Sequence, residues 1–160
     1  MAHAFVGLGS NLGERTHTLR RAVRALNRVP GCTVLRVSRL YASAPLGGLR
    51  QPWYLNAVAI MTTSFAPHRL LVELLAIEQA MGRQRSMRWA SRTLDLDLLL
   101  FDDLVLDSPE LRLPHPGMAQ RSFVLQPLME LTPQLMIPGL GAVSTLWQQL
   151  DAPMLSRIDA

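Results

Sequence analysis

The stretch Leu94-Asp95-Leu96-Asp97-Leu98-Leu99-Leu100-Phe101 constrains the fold of this chain more than any other. Leucine and aspartate alternate with a period of two, the period of a β-strand, whose successive side chains point to opposite faces. The pattern predicts a strand over Asp95–Phe101. Leu94, Leu96, Leu98 and Leu100 would pack on a core, and Asp95 and Asp97 would project from the other face. On a strand the two carboxylates stand about 6.6 Å apart along the chain. Two acids so placed can hold hard cations, because Mg²⁺ takes one or two carboxylates together with water and phosphate oxygens. Two such ions about 3.5–4 Å apart can clamp a nucleotide triphosphate. Acids are also what an edge strand uses to stay soluble, and the pattern alone does not choose.

The remaining elements follow from periodicity and breakers. His3–Gly9 reads as a strand, with Ala4, Val6 and Leu8 alternating. Leu19, Ala22, Val23 and Leu26 recur at helical spacing, so a helix is expected from about Leu12 to Val29, ended by Pro30-Gly31. Ser10 or Asn11 would cap it, or backbone N–H groups there would meet an anion. Cys32–Tyr41 is β-rich, Ser43–Pro52 is a loop punctuated by proline and glycine, and Tyr54–Thr63 is a strand. In that strand Tyr54, Asn56, Val58 and Ile60 share one face. Pro67 suits the first turn of a second helix that Gly82 ends, with Leu70, Leu74, Ile77 and Met81 as its buried stripe. Shorter helices are expected within His115–Glu130 and at Ser144–Leu150. The order strand, helix, strand, strand, helix, strand predicts an α+β fold, a ferredoxin-like sandwich with an antiparallel β-sheet and both main helices packed on one face. At 160 residues one domain is expected, with 138–160 as a helical C-terminal tail.

Composition excludes several classes. An apolar fraction of 49% and a charged fraction of 18% are incompatible with disorder. The longest apolar run, Ala57–Met61, is far short of a membrane span. The N-terminus has no basic region followed by an apolar core, so no export signal is expected. Cys32 is the only cysteine and reads as a small buried hydrophobe, in keeping with a reducing cytoplasm. All 16 basic residues are arginine, giving a net charge of +4 with 12 acids. Any phosphate clamp must therefore be arginine, and lysine-dependent P-loop or Schiff-base chemistry is excluded.

Arg83, Arg85, Arg88 and Arg92 lie close together with no acid among them, with Trp89 in their midst, and they run directly into the Asp pair. Unpaired arginines beside paired aspartates make sense if a polyphosphate with Mg²⁺ fills the space between them. An aromatic among arginines also suits single-stranded nucleic acid. Tyr54 and Asn56 share a face, where an aromatic can stack on a ring and an amide can read its edge. His115 stands between two prolines and can bind phosphate or act as a base; Arg121 and Phe123 follow it.

Taken together these pieces resemble the 6-hydroxymethyl-7,8-dihydropterin pyrophosphokinases of folate biosynthesis, from about Ala4 to Pro138. The matching segments are Gly9-Ser10-Asn11-Leu12, Pro45-Leu46-Gly47, Gln51-Pro52, Tyr54-Leu55-Asn56, Gly82-Arg83, Arg88-Trp89, Arg92 to Asp97, Pro114-His115, Met118, and Arg121 with Phe123. The resemblance implies transfer of pyrophosphate from ATP to the hydroxymethyl group of 6-hydroxymethyl-7,8-dihydropterin, with release of AMP and two Mg²⁺ ions bound. It implies Asp95 and Asp97 as metal ligands and Arg83 and Arg92 as catalytic arginines. It implies Tyr54 and Phe123 as the walls of a pterin slot, with Asn56 reading the pterin edge beside backbone around Ser43, Ala44 and Leu46. Glu78, Arg85, Trp89, Leu98, His115 and Arg121 would line the ATP side. The chain departs from the family pattern at Ala90-Ser91, where Gly-Pro is usual, and at Glu110 and Arg112 on the nucleotide side. The expected partners are ATP and the pterin, with no nucleic acid and no membrane, acting on a monomer. The alternatives are a degenerate homologue that binds without turnover and an RNA-binding ferredoxin-like module.

Overall fold

A computed structural model describes residues 1–11, 14–44, 53–82, 94–151 and 154–158. The expected alternation of elements is present: β1 (Ala2–Ser10), α1 (Arg15–Arg28), β2 (Cys32–Val37), β3 (Leu40–Ser43), β4 (Tyr54–Thr63), α2 (Pro67–Ala80) and β5 (Asp95–Phe101). Pro67 occupies the first turn of α2, where its missing N–H costs nothing, and Gly82 follows the helix with φ of 139°. Every pairing in the main sheet is antiparallel, with β4 between β3 and β1, and β1 between β4 and β5. β2 and β3 lie end to end along β4, from Cys32 opposite Thr63 to Ser43 opposite Tyr54. Counted as one interrupted strand, they complete the ferredoxin-like order.

The single strand expected over Cys32–Tyr41 is thus broken at Ser38-Arg39 and extends to Ser43. Buried Ser38 donates its N–H to the Val58 carbonyl and accepts the Val58 N–H on its hydroxyl, both at 2.9 Å. The hydroxyl in turn donates to the Arg39 carbonyl, so a side chain replaces part of the ladder. The expected cap at Ser10 or Asn11 is also corrected. Ser10 remains in β1 opposite Leu55, too far from the first turn, and α1 begins after Glu14 with no side-chain cap bond.

Both faces of the sheet are covered. Leu19, Ala22 and Leu26 of α1 pack with Leu70, Leu74 and Ile77 of α2 over Ala4, Val6, Leu8, Leu96 and Leu98. The other face holds Val58, Ile60, Leu99 and Leu100 beneath α3 (Ser122–Leu131) and α4 (Val143–Leu150). Leu100 therefore departs from the expected face. A register shift between Phe5 and Val6 of β1 pairs Phe5 with Leu100 and Val6 with Leu98, so Leu99 and Leu100 turn to the same side. Beyond β5 come two small hairpins, β6 (Leu106–Asp107) with β7 (Arg112–Leu113) and β8 (Met136–Ile137) with β9 (Gly141–Ala142). Among the described residues of the expected helical tail over 138–160, only α4 is helical. The chain then returns as β10 (Ser156–Ile158) to pair with β3.

Candidate active site

The α3 face of the sheet is open at one end, where β1, β4 and β5 present their polar residues. There a cleft of about 290 Å³ is bounded by Gly7 and Gly9 of β1, Ser43 and Ala44 after β3, Tyr54 and Asn56 of β4, and Asp95 and Asp97 of β5. Arg121, Phe123 and Val124 at the start of α3 close it from above. The cause is strand register. Gly9 stands opposite both Asn56 and Asp95, and Gly7 opposite Asp97, so the period-two faces of three strands bring these side chains to one place.

Glycine at position 9 suits this close approach. A Cβ there would lie 3.3 Å from Asn56 Oδ1 and 3.7 Å from a Tyr54 ring carbon. Buried Asn56 donates from Nδ2 to Ser43 Oγ at 2.7 Å and to the Tyr41 carbonyl at 3.3 Å. Its Oδ1 is left to accept from a ligand. Arg121 lies over the Phe123 ring, 5.8 Å from guanidinium carbon to centroid, within the range of a cation–π contact. Gly117 makes room for it, since a Cβ there would stand 2.9 Å from that guanidinium carbon.

A second cleft of about 310 Å³ runs along the outer side of β5, lined by Leu71, Asp97, Leu98, Glu110, Arg112 and His115 among others. Asp97 thus lines both clefts. His115 Nδ1 accepts the Gly117 N–H at 3.1 Å, which leaves the ring proton on Nε2 and makes that nitrogen a donor. Burial holds this imidazole below its usual pKa, opposed by the charge of Asp97 and reinforced by Arg121. A neutral donor ring at neutral pH suits contact with a phosphate oxygen.

Of the residues singled out from sequence, Ser43, Ala44, Tyr54, Asn56, Asp95, Asp97, Arg121 and Phe123 meet in the first cleft. Leu98 and His115 line the second. Glu78 lines neither. It is buried under α2, where Oε2 accepts the Leu96 N–H at 2.7 Å and so fastens the helix to the edge of β5. Leu46, Arg83, Arg85, Trp89 and Arg92 lie outside the described residues. Gly7, Gly9 and Val124 are wall residues that the sequence reading does not assign to a site. Glycines two apart within a strand are the available signal, because that spacing marks a close approach on one face. Among the described residues no group of three or more His, Cys, Asp or Glu side chains gathers as a metal cage. Two carboxylates with space for phosphate oxygens are a donor set that fits Mg²⁺.

The class defined by fold and cleft is a ferredoxin-like α+β sandwich with paired carboxylates beside Tyr54 and Phe123. The match to the model of the 7,8-dihydro-6-hydroxymethylpterin-pyrophosphokinase (HPPK) family runs over residues 5–133, and the chain belongs to this family. It is 48% identical over 134 residues to the 2-amino-4-hydroxy-6-hydroxymethyldihydropteridine pyrophosphokinase of Pseudomonas aeruginosa, covering 84% of this chain and 83% of that one. It is 38% identical over 159 residues to the pyrophosphokinase of the same name from Methylorubrum extorquens, covering 99% and 100%. Among solved structures it resembles Plasmodium falciparum HPPK-DHPS with a TM-score of 0.72. That match covers 93% of this chain and 43% of that one, and its 14% identity makes it a likeness of fold. The chain is a pyrophosphokinase of folate biosynthesis. The family match does not favour the RNA-binding and degenerate alternatives. Among the described residues no helix is long and apolar enough to cross a membrane.

Proposed function

We propose that the two clefts are the pterin and ATP halves of one active site, joined at Asp97. The observation that carries this is the convergence of Tyr54, Asn56, Phe123, Asp95 and Asp97 on a single cleft, with Asp97 also facing the second. Tyr54 and Phe123 sandwich 6-hydroxymethyl-7,8-dihydropterin, and Asn56 Oδ1 accepts from a donor on its edge. Leu98 and His115 take the nucleotide side from the second cleft, and Arg121, assigned to ATP by the sequence motif, stands at the first cleft beside Asp97. Asp95 and Asp97 hold two Mg²⁺ ions, which supply charge neutralisation for the triphosphate when bound. The pterin hydroxymethyl oxygen bonds to the β-phosphorus of ATP and its proton is released. The bond from that phosphorus to the oxygen shared with the α-phosphorus breaks, and AMP leaves with the electron pair.

Such a transfer needs alignment and charge stabilisation more than covalent help from the protein. The slot supplies the first. Arg83 and Arg92, assigned from the sequence motif, supply cationic donors for the second, with Leu46, Arg85 and Trp89 as further members of the family's substrate-binding set. Removing Arg92 should slow single-turnover chemistry by about 10²–10³, the usual cost of one preorganised donor. The protein is read as one pyrophosphokinase domain over 1–160, acting as a cytoplasmic monomer on ATP and the pterin, without nucleic acid or membrane.

Asp95→Asn and Asp97→Asn test the assignment. Both side chains face the cleft, so thermal unfolding should stay close to that of the parent while turnover falls by at least about 10²-fold. Turnover preserved in either variant at ordinary Mg²⁺ would remove the metal role from that residue.

A further inference from the structure

Helix α3 carries Phe123, Gln126 and Glu130 at i, i+3 and i+7, a spacing that sets side chains along one side of a helix. Glu130 and Phe123 mark the two ends of β3, and Gln126 holds the chain that pairs with it. The Glu130 carboxylate accepts the Arg39 N–H at 3.1 and 3.2 Å and the Tyr41 hydroxyl at 2.5 Å, at the start of β3. Phe123 lines the cleft together with Ser43 and Ala44, at the end of β3. Between them, buried Gln126 grips the peptide of Leu155, accepting its N–H on Oε1 at 2.7 Å and donating from Nε2 to its carbonyl at 3.2 Å. An uncharged amide is the side-chain group that answers both halves of one peptide in this way.

Leu155 leads directly into β10, where Ser156 pairs with Ala42, Arg157 with Tyr41 and Ile158 with Leu40. Residues 155–158 therefore tie α3, which bears one aromatic wall, to β3, which ends at Ser43. Gln126 is about 4.5 Å of helical rise from Phe123, close enough for its fastening to fix the level of that ring.

We propose that β10, locked by Gln126, is a positioning element that sets the spacing between Phe123 and the Ser43 end of β3, where Ser43 pairs with Tyr54 of the opposite wall, and thereby the width of the pterin slot. The proposal rests on the reading of that cleft as the pterin site. Gln126 is a positioning residue: it acts through the strand it holds and touches no substrate.

The test uses Gln126→Leu, which keeps the bulk and loses both bonds, and a chain ending after Asp151, which removes β10. Gln126→Glu keeps the acceptor for the Leu155 N–H and should fall between Gln126→Leu and the parent. The expected result is a rise of about tenfold in pterin KM in both main variants, equivalent to about 1.4 kcal/mol of binding lost when the two walls no longer meet the ring at the right spacing. ATP KM should stay within about twofold, a split that distinguishes slot geometry from general loosening. Pterin KM unchanged in whichever main variant folds, or pterin and ATP KM rising together with lowered unfolding temperature, would overturn the proposal. Phe123→Ala in the full chain separates the two readings. If it weakens pterin binding while Gln126→Leu does not, the strap fails and the slot stands; if it leaves pterin binding intact, the slot fails and the strap with it.

Discussion

On the proposed reading of the cleft, Asn56 makes a single amide do two tasks. Its Nδ2 is committed to Ser43 and Tyr41, which fixes the plane of the group, and its Oδ1 faces the cleft beside Gly9. A pterin edge offers ring and exocyclic N–H donors that such an acceptor can read. Gly9→Ala would push a methyl group to 3.3 Å from that oxygen. Pterin affinity should then fall by about 0.5–1.5 kcal/mol, the worth of one neutral hydrogen bond, as read by titration. An unchanged affinity would mean that Asn56 reads nothing. The proposed aromatic walls should contribute on a larger scale. Tyr54→Ala and Phe123→Ala should each weaken pterin binding by about 1–3 kcal/mol, as losses of base stacking do, with ATP affinity little altered. Equal losses for both substrates would place these rings outside a dedicated slot.

Among the elements, α3 depends on its polar ties to β3 as well as on its apolar face. Burial of Tyr41 and its hydrogen bond to the Glu130 carboxylate push the phenol from 10.0 up to about 12. The folded state therefore favours the protonated phenol. The resulting stability is fully present below pH 10 and is lost as pH rises toward about 12, because the unfolded chain ionises first. Tyr41→Phe keeps the ring and removes the titration. It should be less stable than the parent at neutral pH by about 1–3 kcal/mol for a lost bond to a charged group. That gap should narrow between pH 10 and about 12 in denaturant titrations. Parallel stability curves for the two proteins would contradict the tie.

The elements also show what the sequence can and cannot reveal. β4 and β5 are legible to the residue and α2 to its last turn, because period and proline act locally. The break at Ser38 is not, since it depends on a hydroxyl meeting the backbone of Val58, 20 residues away in the sequence. Nor is the reversal of Leu100, which follows from a shift against β1. β10 reads from sequence as part of a helical tail because three residues are too few to display a period, and its strand character comes from pairing with β3.

In the whole molecule, two layers of helix enclose the sheet, and the site lies where the α3 layer stops short of the ends of β1, β4 and β5. The gathering of Asp95 and Asp97 with Tyr54 and Asn56 is legible as shared faces of separate strands. Their meeting requires the register that sets Gly9 opposite Asn56 and Asp95 and Gly7 opposite Asp97. Glu78 reads in sequence as a carboxylate on the nucleotide side, and in the fold its Oε2 accepts an N–H on the edge of β5. A polar residue on a helix carries no local mark of which of these two tasks it performs.

The central chemical claim is that a pyrophosphoryl group moves as a unit to the pterin alcohol. Phosphorus NMR of the full chain with ATP, Mg²⁺ and 6-hydroxymethyl-7,8-dihydropterin tests it most directly. AMP and a pterin diphosphate should appear in equal amounts, at rates that depend on the pterin and collapse in Asp95→Asn and Asp97→Asn. Pterin-dependent formation of ADP, or AMP release that proceeds equally well without pterin, would contradict it.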